Sequence, residues 1–538
     1  MPQQMIQNPI LKGFNPDPNI VKVGDDYFIA TSTFEWFPGV QIHHSKDLVH
    51  WQLIGQALNR TSQLDMKGVP DSCGVWAPQL NYHQGTFYLI YSNVKSFNGQ
   101  WKDTPNYLVT TDDIFGEWSE PVFLNASGFD PSLYHDDDGK SYLLNMVMDH
   151  RNNLFFGGVV VQEYCKAQQE LVGDIHYIFE GTECGRTEAP HILKKDGYYY
   201  LITAEGGTSY EHCMTVARSK SLFGPYEVHP DNPFLTAKGV PDNALQKTGH
   251  GDIFEGPDGQ WYTVFLTGRP LTTLGRCITG RETGIEQVQW RDGWPYTVHG
   301  SKAARLQVPA PNLPQHPFEA PQSTVDFSKP LPKDFQSLRV PMEDSWLQLD
   351  KSRETLRLIG RESLSSCHEQ SLVARRVQAH HTVTETCVDF SPTNYQQMAG
   401  LVCYYNTLHF HYLHITGDSF GAKDKRTYLT IVSNDYFDTT EPAGRIDITG
   451  ASKVYLKADF NGANLQFYYA LKQGEWQKIG PVLDGSILSD DYVEHSDIRF
   501  HPCFTGAFVG MCCQDLSGQA LHADFTYFDY KEFGESHD

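Results

Sequence analysis

The stretch DPNIVKVGDDYFIATS, Asp17–Ser32, sets one carboxylate between Pro16 and Pro18, then a short apolar run, a polar turn at Gly24 and an aromatic strand. Proline fixes its own φ at about −65° and disfavours helical backbone at the residue before it, so Asp17 is restrained on both flanks and expected to be extended. By itself the stretch reads as a β-hairpin that begins on an acid. Four more stretches have the same form: APQLNYHQGTFYLIYS from Ala77, DPSLYHDDDGKSYLLNM from Asp130, EAPHILKKDGYYYLITA from Glu188 and GDIFEGPDGQWYTVFL from Gly251. Their starts fall 60, 53, 58 and 63 residues apart. A second element recurs between the hairpins, SKDLVHWQLIG at Ser45, TDDIFGEWSEPV at Thr111 and SKSLFGPYEV at Ser219, and supplies an outer strand. The repeating unit is therefore a sheet of about four strands, and five such units predict a five-bladed β-propeller over residues 1–307. A β-sandwich with accidental similarity is the alternative, disfavoured because both elements recur in the same order.

After Gln307 the pattern stops. VPAPNLPQHPFEAPQ, Val308–Gln322, holds five prolines and little apolar periodicity, which reads as a linker. Alternating runs beyond it, such as LHFHYLHI from Leu408, TYLTIVS from Thr427 and VYLKADF from Val454, predict a β-sandwich over 323–538. The whole is all-β, consistent with 13% aromatic residues and 75 glycines and prolines in a chain of 538.

With 65 acidic against 42 basic residues the formal charge is −23, which repels a phosphate backbone or an anionic membrane surface. The opening MPQQMIQNPI has no basic and apolar leader pattern, and no run approaches a membrane span. A soluble, cytoplasmic protein without nucleic-acid or membrane partners is expected. The eleven cysteines include no CxxC pair, and Cys512 and Cys513 lie in an apolar run, so buried free thiols are expected rather than a disulfide framework.

In a propeller the first strand of each blade lines the central channel, so equivalent positions converge. The five repeats carry Asp17, Ala77, Asp130, Glu188 and, in GHGD, His250 with Asp252. Like charges gathered in a pocket raise one another's pKa, so one carboxyl keeps its proton while another ionises. That division of labour is what glycoside hydrolysis uses. Read singly, Asp-Pro and Glu-Ala-Pro merely start strands; three on one register argue for chemistry. Phe34, Trp36 and Phe37 in TSTFEWFPG and Trp76 in GVWAP are candidate walls for a sugar face, and Arg269 and Arg281 are candidate partners for hydroxyls or for a carboxylate.

Taken together, NPDPNI, GVWAPQL, GFDPSLYHDDDGKSYLLNM, TEAPHI, GHGD and GRET closely resemble glycoside hydrolase family 43, in particular its two-domain β-xylosidases, and the likeness extends to FTGAFVGMCCQDLSG from Phe504. The resemblance implies a five-bladed propeller and an inverting, exo-acting release of xylose from the non-reducing end of β-1,4-xylo-oligosaccharides. It makes Asp17 the general base, Glu188 the general acid and Asp130 the residue that tunes and orients that acid. Phe34, Trp76, His250 and Arg281 would shape the sugar pocket and Phe508 would close its rim, with Phe504 close by. A homo-oligomer, commonly a tetramer, is also implied. The segment RPLTTLGRC, Arg269–Cys277, is short beside the family's usual spacing, which bears on where Arg281 falls. No cofactor is expected to be required and no metal ligands are assigned; some relatives hold a divalent ion near the position of His250, and the sequence neither demands nor forbids one.

Rival readings keep the architecture and change the chemistry: an α-L-arabinofuranosidase, a retaining fructan-type hydrolase, or a carbohydrate-binding propeller without catalysis. His409, His411 and His414 read as an exposed strand face, with a metal pair as the alternative. HDDDGK, from His135, reads as a hairpin turn, since it lacks the rest of a calcium loop.

Overall fold

The structure, a computed structural model, describes residues 4–98, 101–151, 155–420, 426–494 and 503–534. The first three residues of MPQQMIQNPI and the last four of the predicted sandwich span lie outside the described residues.

Five four-stranded antiparallel units follow one another along the chain. The first is Asn19–Val23, Asp26–Thr31, Gly39–Ser45 and Gln52–Leu58, and the fourth gains a short extra strand, Leu235–Thr236, on Cys213–Ser219. The recurring SKDL-type element is the link between the third and outer strands, since Gly39–Ser45, Asn106–Thr111 and Cys213–Ser219 each end where one begins. HDDDGK is a hairpin turn, closed by Asp136 N on Lys140 O at 3.0 Å and by Gly139 N on Asp136 O.

Blades are stitched near the axis by side chains of their first strands. Asn19 accepts from Leu80 N at 2.7 Å and donates to Asp252 at 2.8 Å, Gln79 accepts from Leu133 N at 3.1 Å, and Ser132 donates to Pro190 O. Buried polar groups that satisfy one another in this way fix blade against blade, which apolar contact alone would leave free to slide. The ring is closed by the N-terminal segment: Met5–Gln7 pairs with Gln307–Pro309, Ile10 N bonds Thr283 O at 2.8 Å, and Asn15 N bonds Arg281 O at 2.9 Å.

The C-terminal region packs an eight-stranded sheet on a nine-stranded one. The edge of the nine-stranded sheet is Trp36–Phe37 from the first blade, which pairs with Gln336–Leu338. Trp36 and Phe37 are fully buried in this joint and Phe508 lies flat on Trp36, ring centroids 3.6 Å apart. These two aromatics are therefore not sugar walls, contrary to their reading in TSTFEWFPG, because strand pairing across the joint turns them into core. The three histidines of LHFHYLHI are likewise corrected. His409, His411 and His414 are at most 3% exposed, and His411 is bonded to Ser433 and to Asp484 O, so the strand lies inside the sheet. Arg269 grips Glu282 at 2.6 and 2.8 Å and faces a groove between the two regions.

Candidate active site

A cavity of about 410 Å³ opens where the five blade starts converge, in the size range of small-molecule sites. Asp17, Asp130, Glu188, Phe34, Trp76, His250 and Arg281 all line it. A larger groove, about 1020 Å³, runs past Arg269 and His380 but holds none of these groups. Chemistry rather than size selects the smaller cavity.

Backbone conformation explains how the carboxylates are aimed. Asp17, Ala77, Asp130, Ala189 and His250 have φ of 55°, 35°, 53°, 53° and 30°. Asp17 and Asp130 stand two residues before their blades' first strands, whereas Ala77, Ala189 and His250 lie inside theirs, at shifts of register with the second strand, and the fifth blade adds a further left-handed residue, Lys247 at φ of 57°. Asp17 is not extended, as its position before Pro18 suggested; the regular strand begins only at Asn19. A left-handed non-glycine residue costs on the order of 1–3 kcal/mol and persists where the surroundings over-determine it. At Asp17 they do: Ser32 Oγ donates to its Oδ2 at 2.6 Å, and that hydroxyl accepts from Ala77 N at 2.8 Å. In the third blade Asp130 Oδ2 accepts from Ala189 N at 3.1 Å, tying the third blade start to the fourth.

Charge around the cluster is uneven. Asp17 Oδ1 has Arg281 Nη1 at 3.6 Å and His250 Nδ1 at 3.4 Å, with burial holding the imidazole down to about 4 and hence neutral. Glu188 is pushed up to about 8 by burial and by Asp17, against the opposing pull of Lys102, Arg281 and Arg186. Burial, then Glu188 and Asp17, raise Asp130 well above the ordinary carboxyl range. The cluster therefore keeps a proton on Glu188 at neutral pH while Asp17 faces a guanidinium.

The chain after the propeller supplies part of the wall: Asp490, Glu494, Cys503 and Phe504. Phe504, not Phe508, reaches the cavity. Its ring lies 5.5 Å from Trp76 and 5.8 Å from Phe34, and its carbonyl accepts from Arg281 Nη2 at 2.8 Å. Two glycines make that approach close enough. Gly280 has φ of 68°, and a Cβ on it would fall 2.6 Å from Thr505 O; one on Gly506 would fall 2.8 Å from Thr279 O. Phe508, four residues on, has already entered the sheet strand Phe508–Asp515.

Several lining groups escaped the sequence reading. Asp490, from the short helix Asp490–Glu494, lies 3.7 Å from Arg281 Nε and accepts from Tyr405 at 2.6 Å; burial raises it to about 7. In SDDYVE it reads as an ordinary acid at a helix start. Lys102 enters on the hairpin strand Trp101–Asp103, its ammonium 3.8 Å from the Phe97 ring centre and 3.4 Å from that of Phe155. Burial lowers it to about 7. It belongs to no repeat register, so only the basic residue inside FNGQWKD could have flagged it. Among the described residues no group of three or more His, Cys, Asp or Glu is placed to hold a metal ion.

Residues 6–295 match the model of Glycosyl hydrolases family 43, and residues 324–531 that of a Beta xylosidase C-terminal Concanavalin A-like domain. The chain belongs to glycosyl hydrolase family 43. It is 50% identical to a Beta-xylosidase of Bacillus subtilis (strain 168), over 98% of this chain and 99% of that one. It is 48% identical to Xylosidase/arabinosidase 43B of Humicola insolens, over 99% and 98%. The crystal structure of a xylan beta-1,4-xylosidase from Bacillus halodurans C-125 superposes with a TM-score of 0.94 at 50% identity, covering 98% of this chain and all of that one. As a family 43 member the chain is a glycoside hydrolase, a five-bladed propeller followed by a concanavalin-like sandwich. Among the described residues no helix is long and apolar enough to cross a membrane.

Proposed function

We propose that this family 43 enzyme is an exo-acting, inverting β-D-xylosidase that releases xylose from the non-reducing end of β-1,4-xylo-oligosaccharides, with Asp17 as general base and Glu188 as general acid. The observation that carries the reading is the split within one cavity between Glu188, held protonated to about 8, and Asp17, set against Arg281. Glu188 gives its proton to the glycosidic oxygen as the anomeric C–O bond breaks. Asp17 takes a proton from the water that attacks the opposite face. The carboxylate left on Glu188 is then stabilised by the cations already around it, Lys102, Arg281 and Arg186. Asp130, fixed by Ala189 N and close enough to Glu188 for the two carboxyls to repel as anions, tunes and orients the acid.

Phe34, Trp76 and Phe504 offer apolar faces for a pyranose, and Arg281 and His250 offer polar contacts beside Asp17. With a wall supplied from the sandwich, the cavity suits a chain end better than a chain middle. A side activity on α-L-arabinofuranosides is part of the proposal, since such a sugar presents similar hydroxyls to one pocket and a full-length relative is named for both activities. A cytoplasmic homo-oligomer, a tetramer by resemblance, is the proposed working form, and light scattering on the purified chain tests the assembly.

Proton NMR of xylobiose hydrolysis at early times tests the chemistry. Prompt α-xylose from the non-reducing sugar is the expected product. β-Xylose would overturn inversion and make Asp17 a nucleophile, and release from arabinosides alone would overturn the substrate.

A further inference from the structure

Three aromatic walls of the cavity, Phe34, Trp76 and Phe504, are tied to one short segment that does not itself line it, 72–75. Phe34 and Val75 exchange backbone bonds, each N on the other's O at 3.0 Å. Gly74, at φ of 87°, permits that approach, since a Cβ there would fall 2.4 Å from Phe34 O. Ser72 is fully buried and uses its backbone N, its carbonyl and its hydroxyl in three directions. Its N donates to Glu35 Oε2 at 3.0 Å, its carbonyl accepts from Trp76 Nε1 at 2.9 Å, and its Oγ accepts from Phe504 N at 3.0 Å. Three residues beyond Phe504, Ala507 N bonds Ile278 O at 2.9 Å, so these two bonds bracket the close approach at Gly506.

The contacts run on from Phe504 to the chemistry. Phe504 O accepts from Arg281 Nη2 at 2.8 Å, and Arg281 Nη1 lies 3.6 Å from Asp17 Oδ1. Ser72 has φ of 54°, a conformation that glycine adopts at less cost. What serine adds at this backbone position is the hydroxyl, and the hydroxyl is spent on the sandwich.

We propose that Ser72 is a positioning residue for the hydrolysis: by holding Phe504 N, its hydroxyl sets where the sandwich segment meets the propeller, and so fixes the Phe504 ring against the sugar and Arg281 beside Asp17. The inference rests on the reading of this cavity as the glycosidase site. A wall that touches the sugar in ground state and transition state alike contributes uniform binding, so its displacement raises KM more than it lowers kcat. No bond in this series reaches Glu188, so the need for leaving-group protonation is unchanged.

The test is steady-state kinetics of Ser72→Ala and Ser72→Gly in the full chain, on xylobiose and on an aryl xyloside, with free xylose as a competitive probe. Both variants lose only the hydroxyl's bond; Ser72→Gly suits the left-handed backbone and carries the test if Ser72→Ala folds poorly. The expected result in both is a ~10-fold rise in KM, the effect of leaving one buried donor unpaired, with a parallel rise in the inhibition constant of xylose and equal loss on the two substrates. A merely structural role would lower the melting temperature and leave KM and the inhibition constant of the folded variant within about twofold of the parent, which would overturn the proposal. Loss on xylobiose with the aryl xyloside spared would overturn it too, since the effect would then lie at the acid. If the parent hydrolyses arabinofuranosides instead, the same ratios are read on an aryl arabinofuranoside with arabinose as the probe. The parent's substrate thus tests the functional reading, and the ratio of variant to parent tests Ser72.

Discussion

Glu188 and Glu35 are both pushed up to about 8, and in both the first cause is burial. Glu188 opens onto a cavity lined by two more of the blade-start carboxyls. Glu35 is sealed in the joint between propeller and sandwich, fully inaccessible, with Oε2 accepting from Ser72 N at 3.0 Å. Its cation neighbour Arg339 is spent elsewhere, donating to Asp71 at 2.8 Å and to Val69 O at 2.6 Å, so burial wins over attraction. A perturbed carboxyl therefore marks a protein interior, and only access to a cavity turns it into a reagent. The two sites are nevertheless linked. Ser72 bonds Glu35 through its N, Phe504 N through its Oγ at 3.0 Å, and Trp76 Nε1 through its carbonyl at 2.9 Å, so the sealed site holds up two walls of the open one.

The comparison breaks first at Glu188. Glu188→Ala is expected to lower kcat/KM on xylobiose by about 10²–10⁴-fold, the usual worth of a general acid, while sparing an aryl xyloside whose leaving group needs no proton. Asp17→Ala is expected to lose both, since nothing replaces the base. Equal loss on the two substrates in Glu188→Ala would end its role as acid.

At the sealed site the effect moves from rate to stability. Arg339→Met strands Asp71 and is expected to destabilise the fold by about 3–5 kcal/mol, read by denaturant unfolding. Glu35→Gln, by contrast, is expected to be close to neutral below about pH 4.5, where Glu35 is protonated in both states. Because the folded pKa of Glu35 lies above its unfolded value, its contribution to stability is fully present below about pH 4.5 and is lost as pH rises through about 8. Parent and Glu35→Gln should therefore unfold alike at low pH and diverge towards pH 8, the parent becoming the weaker. Parallel curves would show that folding leaves the pKa of Glu35 where it is in the unfolded chain.

The smallest expected effect sharpens the chemistry. As the proposed acid Glu188 must keep its proton, so kcat/KM on xylobiose is expected to fall above about pH 8, and Arg186→Met, which removes a cation that lowers Glu188, should move that alkaline limb upward. A limb that moves downward would exclude Arg186 as a partner of the acid.

The repeat was legible because each blade spends its residues locally: hairpin, turn and outer strand recur within one stretch of chain, so periodicity carries the architecture. Asp17, Asp130 and Glu188 were legible for the same reason, since a shared register in a closed ring forces convergence. The errors fall where side chains are decided by the other region. Trp36 and Phe37 look like sugar walls until Gln336–Leu338 pairs with them, and Phe508 resembles a rim residue until Trp36 lies flat on it. Asp490 and Lys102 had no register to be read from.

The sequence by itself thus determined five blades, a sandwich and three converging carboxylates, because short-range pattern plus ring closure leaves few ways to arrange them. Only the tertiary structure decided that a left-handed residue stands at or beside each blade start, that Phe504 rather than Phe508 lines the cavity, and that a carboxyl from beyond the propeller joins the site. Those facts depend on contacts hundreds of residues apart in the chain, such as Arg281 with Phe504, whose distance no local pattern records.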